Sequence, residues 1–340
     1  MSNIAALLQA AEYIEMHQRS LINWQDLPDE LILKILSYSE LKDLISCGQV
    51  SKRTRNISRD SSLWVTANLE EKIVKSEFLE MILSKGCKIL NLSNSNVVGT
   101  LSLNIKCQLT VLKLSWFNVS EVLLFSCYSL QHLEFQGLCL TSEMLGSICN
   151  LSKTLKILNL NHSLISNRLN YTVSNSNIQE IIKCCQGLKE FHLGYINENN
   201  GLKDEDVQFL ARNISSNLKK LDLSASDVLD DHVKILLSRC NKIEVLSLIE
   251  TFINDDTITH IRQYLSLTLE EMSLSPYEGG ISYIDCVGLK YMRRLKTLNF
   301  VYCEKKDEEE IQWVRQFLPH LMIKTSFEEG YWEKFKQNTN

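Results

Sequence analysis

The sequence predicts an α/β repeat protein: a small helical domain followed by a solenoid with a curved parallel sheet inside and helices outside. Three observations predict this fold class. Leucine accounts for about 54 of the 340 residues, far more than an ordinary core needs. Apolar residues recur about every 26 residues through the C-terminal part of the chain, as in repeat proteins. Only 3 prolines and 12 glycines are present, which argues against long disordered linkers.

The recurring pattern is Leu-x-x-Leu-x-Leu. Clear copies begin at Leu109, Leu130, Leu155, Leu188, Leu218, Ile243, Leu269 and Leu295. A weaker copy begins at Cys87, and Leu321-Met322-Ile323 is interpreted as a degenerate last strand. Most of these intervals fall within the range of about 20 to 29 residues that is typical of leucine-rich repeats, and two are stretched.

Each copy predicts one strand and one helix. The last two apolar positions alternate with a single residue between them, which is the period of a strand with one buried face. Between strands the spacing changes to three and four, as in Val207-Leu210-Ala211, and predicts a short amphipathic helix. Asp204, Asp230 and Asp256 precede three such helices, where each could accept amide protons. One strand with one helix cannot bury itself, so about nine units should stack into a sheet of ten strands.

The 11 cysteines favour free thiols in a reducing compartment. Their number is odd, no Cys-x-x-Cys pair occurs, and Met1 to Arg19 does not read as a signal peptide. Cys127, Cys185 and Cys240 each lie three residues before the first leucine of the next copy, where a small apolar residue is needed. This placement resembles the cysteine-containing class of leucine-rich repeats.

Residues 24–64 predict three short helices. Pro28 suits the first turn of a helix, and Asp29 and Glu30 are favourable at its positive end. Leu31 and Ile35 share one face of that helix, whereas other apolar residues lie on a second face. About forty residues that are apolar on more than one face cannot form a sufficient core alone, so they should bury surface against something else.

This segment resembles an F-box, on Leu27-Pro28-x-Glu30-Leu31, Ile35, Asp43-Leu44, Val50, Lys52 and Leu63-Trp64. Ser39, where a leucine is common, and Ser51 and Thr54 in the third helix depart from the family pattern. The resemblance implies docking to a Skp-type adaptor, which connects to the cullin and RING subunits of a ubiquitin ligase. The implied adaptor-binding residues are Leu27, Pro28, Leu31, Ile35, Leu36, Leu44, Val50 and Trp64. The alternative is an ordinary three-helix cap on the repeats.

An F-box before such repeats is similar to the F-box/leucine-rich-repeat family. The resemblance implies a non-catalytic substrate receptor in the nucleus and cytoplasm, whose protein target is in some cases phosphorylated and captured with a Cks-type accessory subunit. A scaffold or inhibitor that binds its partner without ubiquitination is the alternative. Neither role needs a cofactor.

Exposed positions of the predicted sheet supply candidate partner-binding residues, which are Trp116, His132, His162, His192, Tyr195 and Tyr302. Large amphipathic side chains are typical of contact hot spots, and solenoids use this surface for recognition. Alternatively, the individual aromatics only cover neighbouring backbone. The three histidines have different strand offsets, so neither a catalytic nor a metal site is predicted, and the common nucleotide-binding and hydrolase motifs are missing from the sequence.

The predicted organisation is an N-terminal segment at 1–22, the F-box at 23–66, a linker and cap at 67–86, repeats at 87–320, and a terminal strand and tail at 321–340. The apolar stripe Ile4, Leu7, Leu8, Ala11 and Ile14 resembles the helix by which Mad-type repressors bind a Sin-type corepressor. A helix capping the F-box and a disordered segment are the alternatives. The tail could pack back on the sheet or hang free.

The charge and hydropathy patterns exclude two classes of partner. The formal net charge of −5 is not that of a generally basic nucleic-acid-binding protein. No run of 18 apolar residues is available to span a bilayer. We therefore expect neither nucleic acid nor membrane as a partner.

Overall fold

The computed structural model describes residues 24–102, 107–115, 126–137, 139–165, 175–196, 201–275, 281–283, 285–303 and 307–327. The chain divides into two compact units, with the boundary between Thr66 and Ala67. The predicted N-terminal helix and the tail beyond Phe327 lie outside the described residues.

The first unit contains three α-helices: α1 at Asp29–Leu36, α2 at Leu41–Val50 and α3 at Lys52–Ser58. Short 3₁₀ turns at Trp24–Asp26 and Ser61–Trp64 flank them. Pro28 is the residue that precedes α1, not part of its first turn as the sequence predicted. Ser51 and Thr54 cap the start of α3 reciprocally, because each backbone amide donates to the other side-chain oxygen at 3.1 Å. These two departures from the F-box pattern, Ser51 and Thr54, therefore act locally as a helix cap.

The second unit contains an 11-stranded sheet, one strand more than predicted. Its strands are β1 (Thr66–Asn68), β3 (Ile89–Asn91), β5 (Val111–Ser115), β6 (His132–Gln136), β8 (Ile157–Asn159), β10 (Glu190–His192), β11 (Lys220–Asp222), β12 (Val245–Leu248), β13 (Glu271–Leu274), β14 (Thr297–Cys303) and β15 (Met322–Phe327). They lie side by side in this order, and the pairings from β3 onward are parallel. The extra strand is β1, which lies at the boundary of the two units.

Two small parallel pairs form where the chain leaves the sheet. β2 (Ile73–Lys75) pairs with β4 (Asn96–Val98), and β7 (Cys139–Leu140) pairs with β9 (Leu164–Ile165). Of these strands, β2 lies in the segment 67–86 that was expected to be a linker and cap, and α4 (Ser76–Ser84) follows it there.

The predicted leucine ladder is confirmed by the strand register. The middle apolar residue of each copy aligns with the next across the sheet, and all are at most 1% exposed: Leu90, Leu112, Leu133, Leu158, Phe191, Leu221, Leu246, Met272 and Leu298. Residues on either side of this row are half-buried on the opposite face. We call that opposite side the open face. A one-residue slip would exchange the two faces, so this row fixes which side chains are available for binding.

Helices follow the strands, as the apolar spacing predicted. They are α5 (Ser142–Asn150), α6 (Asn175–Cys184), α7 (Asp204–Asn213), α8 (Asp230–Arg239), α9 (Asp255–Leu265) and α10 (Glu308–Phe317). Between β13 and β14 the structure instead has a 3₁₀ helix at Asp285–Tyr291. This shorter element leaves a cleft of about 320 Å³ beside α9, lined in part by Arg262 and Tyr291.

The acids at the helix starts act differently from the prediction. Asp204 and Asp230 are the first residues of their helices, and Asp256 is the second residue of α9. Asn254 caps α9, accepting from the amide of Asp256 at 2.9 Å. Asp230 caps that same neighbouring helix: its Oδ1 accepts from the Thr257 amide at 3.0 Å and the Thr257 hydroxyl at 2.6 Å. The acid thus links two repeats instead of capping its own helix.

Replacing Asp230 with alanine should lower the free energy of unfolding by about 2 kcal/mol, because three donors at the start of α9, including the Asn254 amide, lose their acceptor. The exposed neighbour Asp231 provides the matched control, and its change to alanine should stay within about 0.5 kcal/mol. Urea denaturation measures both. Equal effects of the two substitutions would show that the bond between repeats contributes no stability.

The expectation of free thiols is wrong for one pair of cysteines. Cys149 at the end of α5 and Cys184 at the end of α6 form a disulfide, with Cα atoms 5.6 Å apart. Stacked helices bring these side chains together although 35 residues separate them in sequence. Cys127, Cys185 and Cys240 are buried thiols at the predicted positions. Burial raises the pKa of Cys185 to about 12 and that of Cys240 to about 11, so both stay protonated.

Candidate functional site

An apolar surface remains uncovered on α1 within the first unit. Leu31 and Ile35, one helical turn apart, are 51% and 44% exposed. Ile32 and Leu36 point to the other side and are at most 2% exposed. One apolar face therefore builds the core of the unit, and the other stays exposed, as apolar surfaces at interaction sites often do.

The first unit exposes further apolar side chains that the sequence did not predict. Tyr38 follows α1 and is 68% exposed, with the ammonium group of Lys34 5.4 Å from its ring centre. Ile45 on α2 is 39% exposed. Tyr38 lies seven residues after Leu31, and this helical spacing could have identified it. We define the apolar surface of the first unit as Leu31, Ile35, Tyr38 and Ile45.

The predicted adaptor-binding residues divide into two groups. Leu36, Leu44 and Trp64 are at most 4% exposed and stabilise the unit from inside, and the Trp64 indole donates to the carbonyl of Ser58 at 2.8 Å. Pro28, Leu31, Ile35 and Val50 are exposed, and Leu27 is partly exposed. A partner can contact the second group directly, whereas the first group acts by holding the helices in place.

Arg53 fixes the segment before α1 and was not identified from the sequence. Its guanidinium donates to the carbonyl oxygens of Gln25 at 2.6 Å and Leu27 at 2.5 Å. It also pairs with the carboxylate of Asp29 at 2.6 Å. Bidentate and charge-assisted bonds of this kind hold backbone geometry well. Arg53 therefore positions Leu27 and Pro28 beside the exposed face of α1.

The open face of the second unit carries alternating charges on its early strands. Glu134 on β6 lies 3.1 Å from the Lys113 ammonium and 3.6 Å from the His132 imidazole. Glu190 on β10 lies 3.2 Å from the Lys220 ammonium and 4.0 Å from the His192 imidazole. The predicted residues His132 and His192 are therefore held by carboxylates. Burial lowers the pKa of His192.

The hydrogen bond from His132, together with Lys113, lowers the pKa of Glu134. A lowered carboxyl pKa stabilises the fold above its unfolded value of about 4.3, and this contribution is lost as pH falls through the lower folded value. Glu134→Gln should therefore flatten the loss of stability below about pH 4.3. Urea unfolding between pH 3 and 6 measures the slope, with Glu309→Gln on α10 as the control. A slope equal to that of the wild type would contradict the assignment.

A second set of side chains lies where the strands end. The second residue after the last leucine-type position has a positive φ in each of these repeats: Asn94, Gly137, His162, Tyr195, Ala225, Glu250 and Tyr302. Six of these seven are not glycine, although such residues rarely adopt this conformation. The left-handed turn places successive repeats' side chains along one edge of the sheet.

Four of these residues make direct contact. The rings of His162 and Tyr195 are stacked, with centres 4.9 Å apart. The Tyr195 hydroxyl donates to the carboxylate of Glu250 at 2.9 Å and lies 3.2 Å from the Tyr302 hydroxyl. Because its proton goes to Glu250, Tyr195 accepts the proton of Tyr302. We call His162, Tyr195, Glu250 and Tyr302 the edge cluster.

Burial and the nearby Glu250 carboxylate raise the pKa of Tyr195, so its hydroxyl remains a neutral donor. Glu250 itself is only 5% exposed. The structure thus brings the predicted residues His162, Tyr195 and Tyr302 together, while His132 and His192 lie on the strands and Trp116 lies outside the described residues. Sequence reasoning missed Glu250, although its position after Leu248 matches that of Tyr195 after Leu193.

A polar network supports the edge cluster from the sheet. The Asn161 side chain donates to Asp222 at 2.9 Å and accepts from the amide of Gly194 at 2.8 Å. A Cβ atom at Gly194 would lie 2.8 Å from the Asp222 carboxylate, so a larger residue there would require this carboxylate to shift. The network fixes the backbone immediately before His162 and Tyr195.

The part of the chain that the structure describes lacks two kinds of feature. It contains no group of three or more His, Cys, Asp or Glu side chains arranged to hold a metal ion. None of its helices combines the length and apolar character that crossing a bilayer requires.

Comparisons with known proteins give one family match and several similar structures. The family model described as F-box-like matches residues 24–70. Among solved structures, the leucine-rich repeat-containing protein LegL7 from Legionella pneumophila is 14% identical, with a TM-score of 0.38, and the match covers 64% of this chain and 74% of that chain. TLR13 in its complex with ssRNA13 is 16% identical, with a TM-score of 0.38, and the match covers 75% of this chain and 41% of that one. The chain therefore joins an F-box-like domain to a parallel-sheet solenoid of the leucine-rich-repeat type.

Proposed function

We propose that this protein is the non-catalytic substrate-recognition subunit of a Skp–cullin–F-box ubiquitin ligase. The observation that carries the proposal is the exposed apolar surface of Leu31, Ile35, Tyr38 and Ile45 within the segment that matches the F-box-like family. F-box domains generally bind Skp-type adaptors, and an uncovered apolar helix face suits such a contact.

The open face of the solenoid is the proposed binding surface for a protein target. Charged, aromatic and amide side chains from successive repeats cover it, and solenoids commonly recognise partners through such surfaces. The chain would act by proximity, because holding a target near a ubiquitin-charged enzyme raises its effective concentration. We place this activity in the nucleus and cytoplasm.

A resemblance to the S-phase kinase-associated F-box protein supplies the finer parts of the proposal. The residues that carry it are Trp24 through Leu31, the irregular early repeats, and the ending Leu295 to Leu298 with Phe317 to Leu321. A phosphorylated target and a Cks-type accessory subunit enter the proposal by that likeness. The Sin-type corepressor partner depends on the N-terminal helix, outside the described residues.

Co-expression with a Skp-type adaptor tests the proposal. We expect the two proteins to co-purify in equal amounts and, with cullin and RING subunits added, to assemble one complex. Affinity purification from cells under proteasome inhibition should then recover a target that accumulates. Target binding without adaptor binding would instead support the alternative, a scaffold or inhibitor that acts without ubiquitination.

A further inference from the structure

The carboxylate of Glu250, in the edge cluster beside the open face, is unusual because it is buried and no cation of the described residues pairs with it. Among the described residues, Lys113 and Lys220 pair with Glu134 and Glu190, but no lysine, arginine or histidine forms an ion pair with Glu250. Its side-chain partner is the neutral hydroxyl of Tyr195. A buried carboxylate is costly unless an opposite charge compensates it, and a neutral donor compensates it only in part.

The surroundings of Glu250 add to its negative potential. On the open face of β11 to β14, Asp222 and Glu271 are further acids, and both are bound by neutral amide groups of Asn161 and Asn299. Lys220 pairs with Glu190 on β10, and Lys324 lies opposite Asn299 on the outermost strand β15, so three acids face two cations. The described part of this half of the face therefore has excess negative charge near Glu250.

Aromatic rings complete the site. Tyr195 and Tyr302 are partly exposed and His162 is exposed, so a ligand can reach the edge cluster from solvent. Aromatic faces attract ammonium and guanidinium groups, most strongly where water is partly excluded. All four residues have a left-handed backbone, and this conformation directs their side chains toward one another. The site is therefore preorganised in the absence of a ligand.

We propose that the edge cluster is a binding site for a basic side chain, an arginine or lysine of an extended target peptide. The aromatic rings of Tyr195 and Tyr302 contact the cation, and the Glu250 carboxylate supplies the opposite charge. This inference rests on the proposed function of the open face as a target-binding surface, and it adds the chemical class of target.

Selection of a phage-displayed library of random dodecapeptides on the full-length protein tests the proposal. We expect the selected peptides to be enriched in arginine or lysine at one position relative to the starting library. In a synthetic copy of a selected peptide, citrulline in place of that arginine keeps the shape and removes the charge. It should bind at least about tenfold more weakly.

The variant Glu250→Gln tests whether the preference for arginine over citrulline comes from the edge cluster. It keeps the side-chain size and an acceptor for Tyr195, and should reduce the preference for arginine over citrulline to less than about threefold. Asp231→Asn, an exposed acid on α8, is the matched control and should leave the preference unchanged. Tyr302→Leu is a second variant, which removes one ring without changing the carboxylate. It should weaken the arginine peptide about threefold to tenfold.

Selected peptides without enrichment in basic residues would overturn the inference, as would an arginine preference that survives in both Glu250→Gln and Tyr302→Leu. Adaptor binding, measured on the same preparations, separates this failure from failure of the proposed function. A protein that does not bind the adaptor contradicts the proposed function. A protein that binds the adaptor but does not select basic peptides contradicts only the inference about the edge cluster.

Discussion

The double substitution Leu31→Asp, Ile35→Asp should reduce the affinity of the full-length chain for a Skp-type adaptor by at least about 100-fold, since each anchor typically contributes about 1.5–3 kcal/mol. Both side chains are about half exposed in the free chain, so they are available to a partner and contribute little to the core. Each aspartate would also bring an unpaired charge into an apolar contact. Titration calorimetry with the purified adaptor measures the change.

The matched control places the same chemical change outside the first unit. Ile73 and Leu267 are 79% and 71% exposed, and the double variant Ile73→Asp, Leu267→Asp should bind the adaptor like the wild type. Circular dichroism should show an unchanged helix content for both double variants, since neither pair is buried. Full adaptor affinity in the Leu31, Ile35 variant would mean that the F-box-like segment does not dock through this face.

Gly201→Ala should destabilise the solenoid by about 3–5 kcal/mol, the largest effect that we expect from a single added methyl group. Gly201 has a φ of +57°, and a Cβ atom built there would lie 1.6 Å from the carbonyl oxygen of Ala225. Backbone cannot move aside as a flexible side chain can, so two neighbouring repeats would have to separate. The thermal midpoint and the urea midpoint should both fall.

Gly146→Ala is the contrasting control for the same chemical change. Gly146 lies within α5, and among the described residues beyond the backbone of that helix, none has an atom within 4 Å of the place where the added methyl group would sit. Alanine is the better helix former, so this variant should gain about 0.5–1 kcal/mol. If the two variants have equal stability, the close approach of Gly201 to Ala225 is not a constraint on repeat stacking.

Much of the fold could be predicted because the apolar pattern that identifies each strand of a leucine-rich repeat lies within the residues of that strand. The alternation around Leu221 or Leu246 predicts a strand and its buried face without knowledge of any other repeat. Periodicity says less about boundaries. β1 was missed because Thr66–Asn68 has one buried side chain, Ala67, and no leucine pattern.

The functional surfaces were predictable to different degrees. The exposed face of α1 follows from helical spacing, because Leu31 and Ile35 cannot share the side on which Ile32 and Leu36 pack. Spacing alone does not say which face is buried, so Leu36, Leu44 and Trp64 were grouped with the contact residues although they lie in the core. Only packing of the three helices separates supporting residues from exposed ones.

The sequence by itself determined the order of the leucine-bearing strands and of the helices between them, the face on which each leucine lies, and the position of an F-box-like segment before the repeats. Tertiary structure alone decided which distant residues meet: Cys149 with Cys184, Asp230 with Thr257, and Tyr195 with both Glu250 and Tyr302. The physical reason is that hydrophobic periodicity is a property of neighbouring residues. Contacts between repeats depend on how the stacked units turn and on how far each side chain reaches.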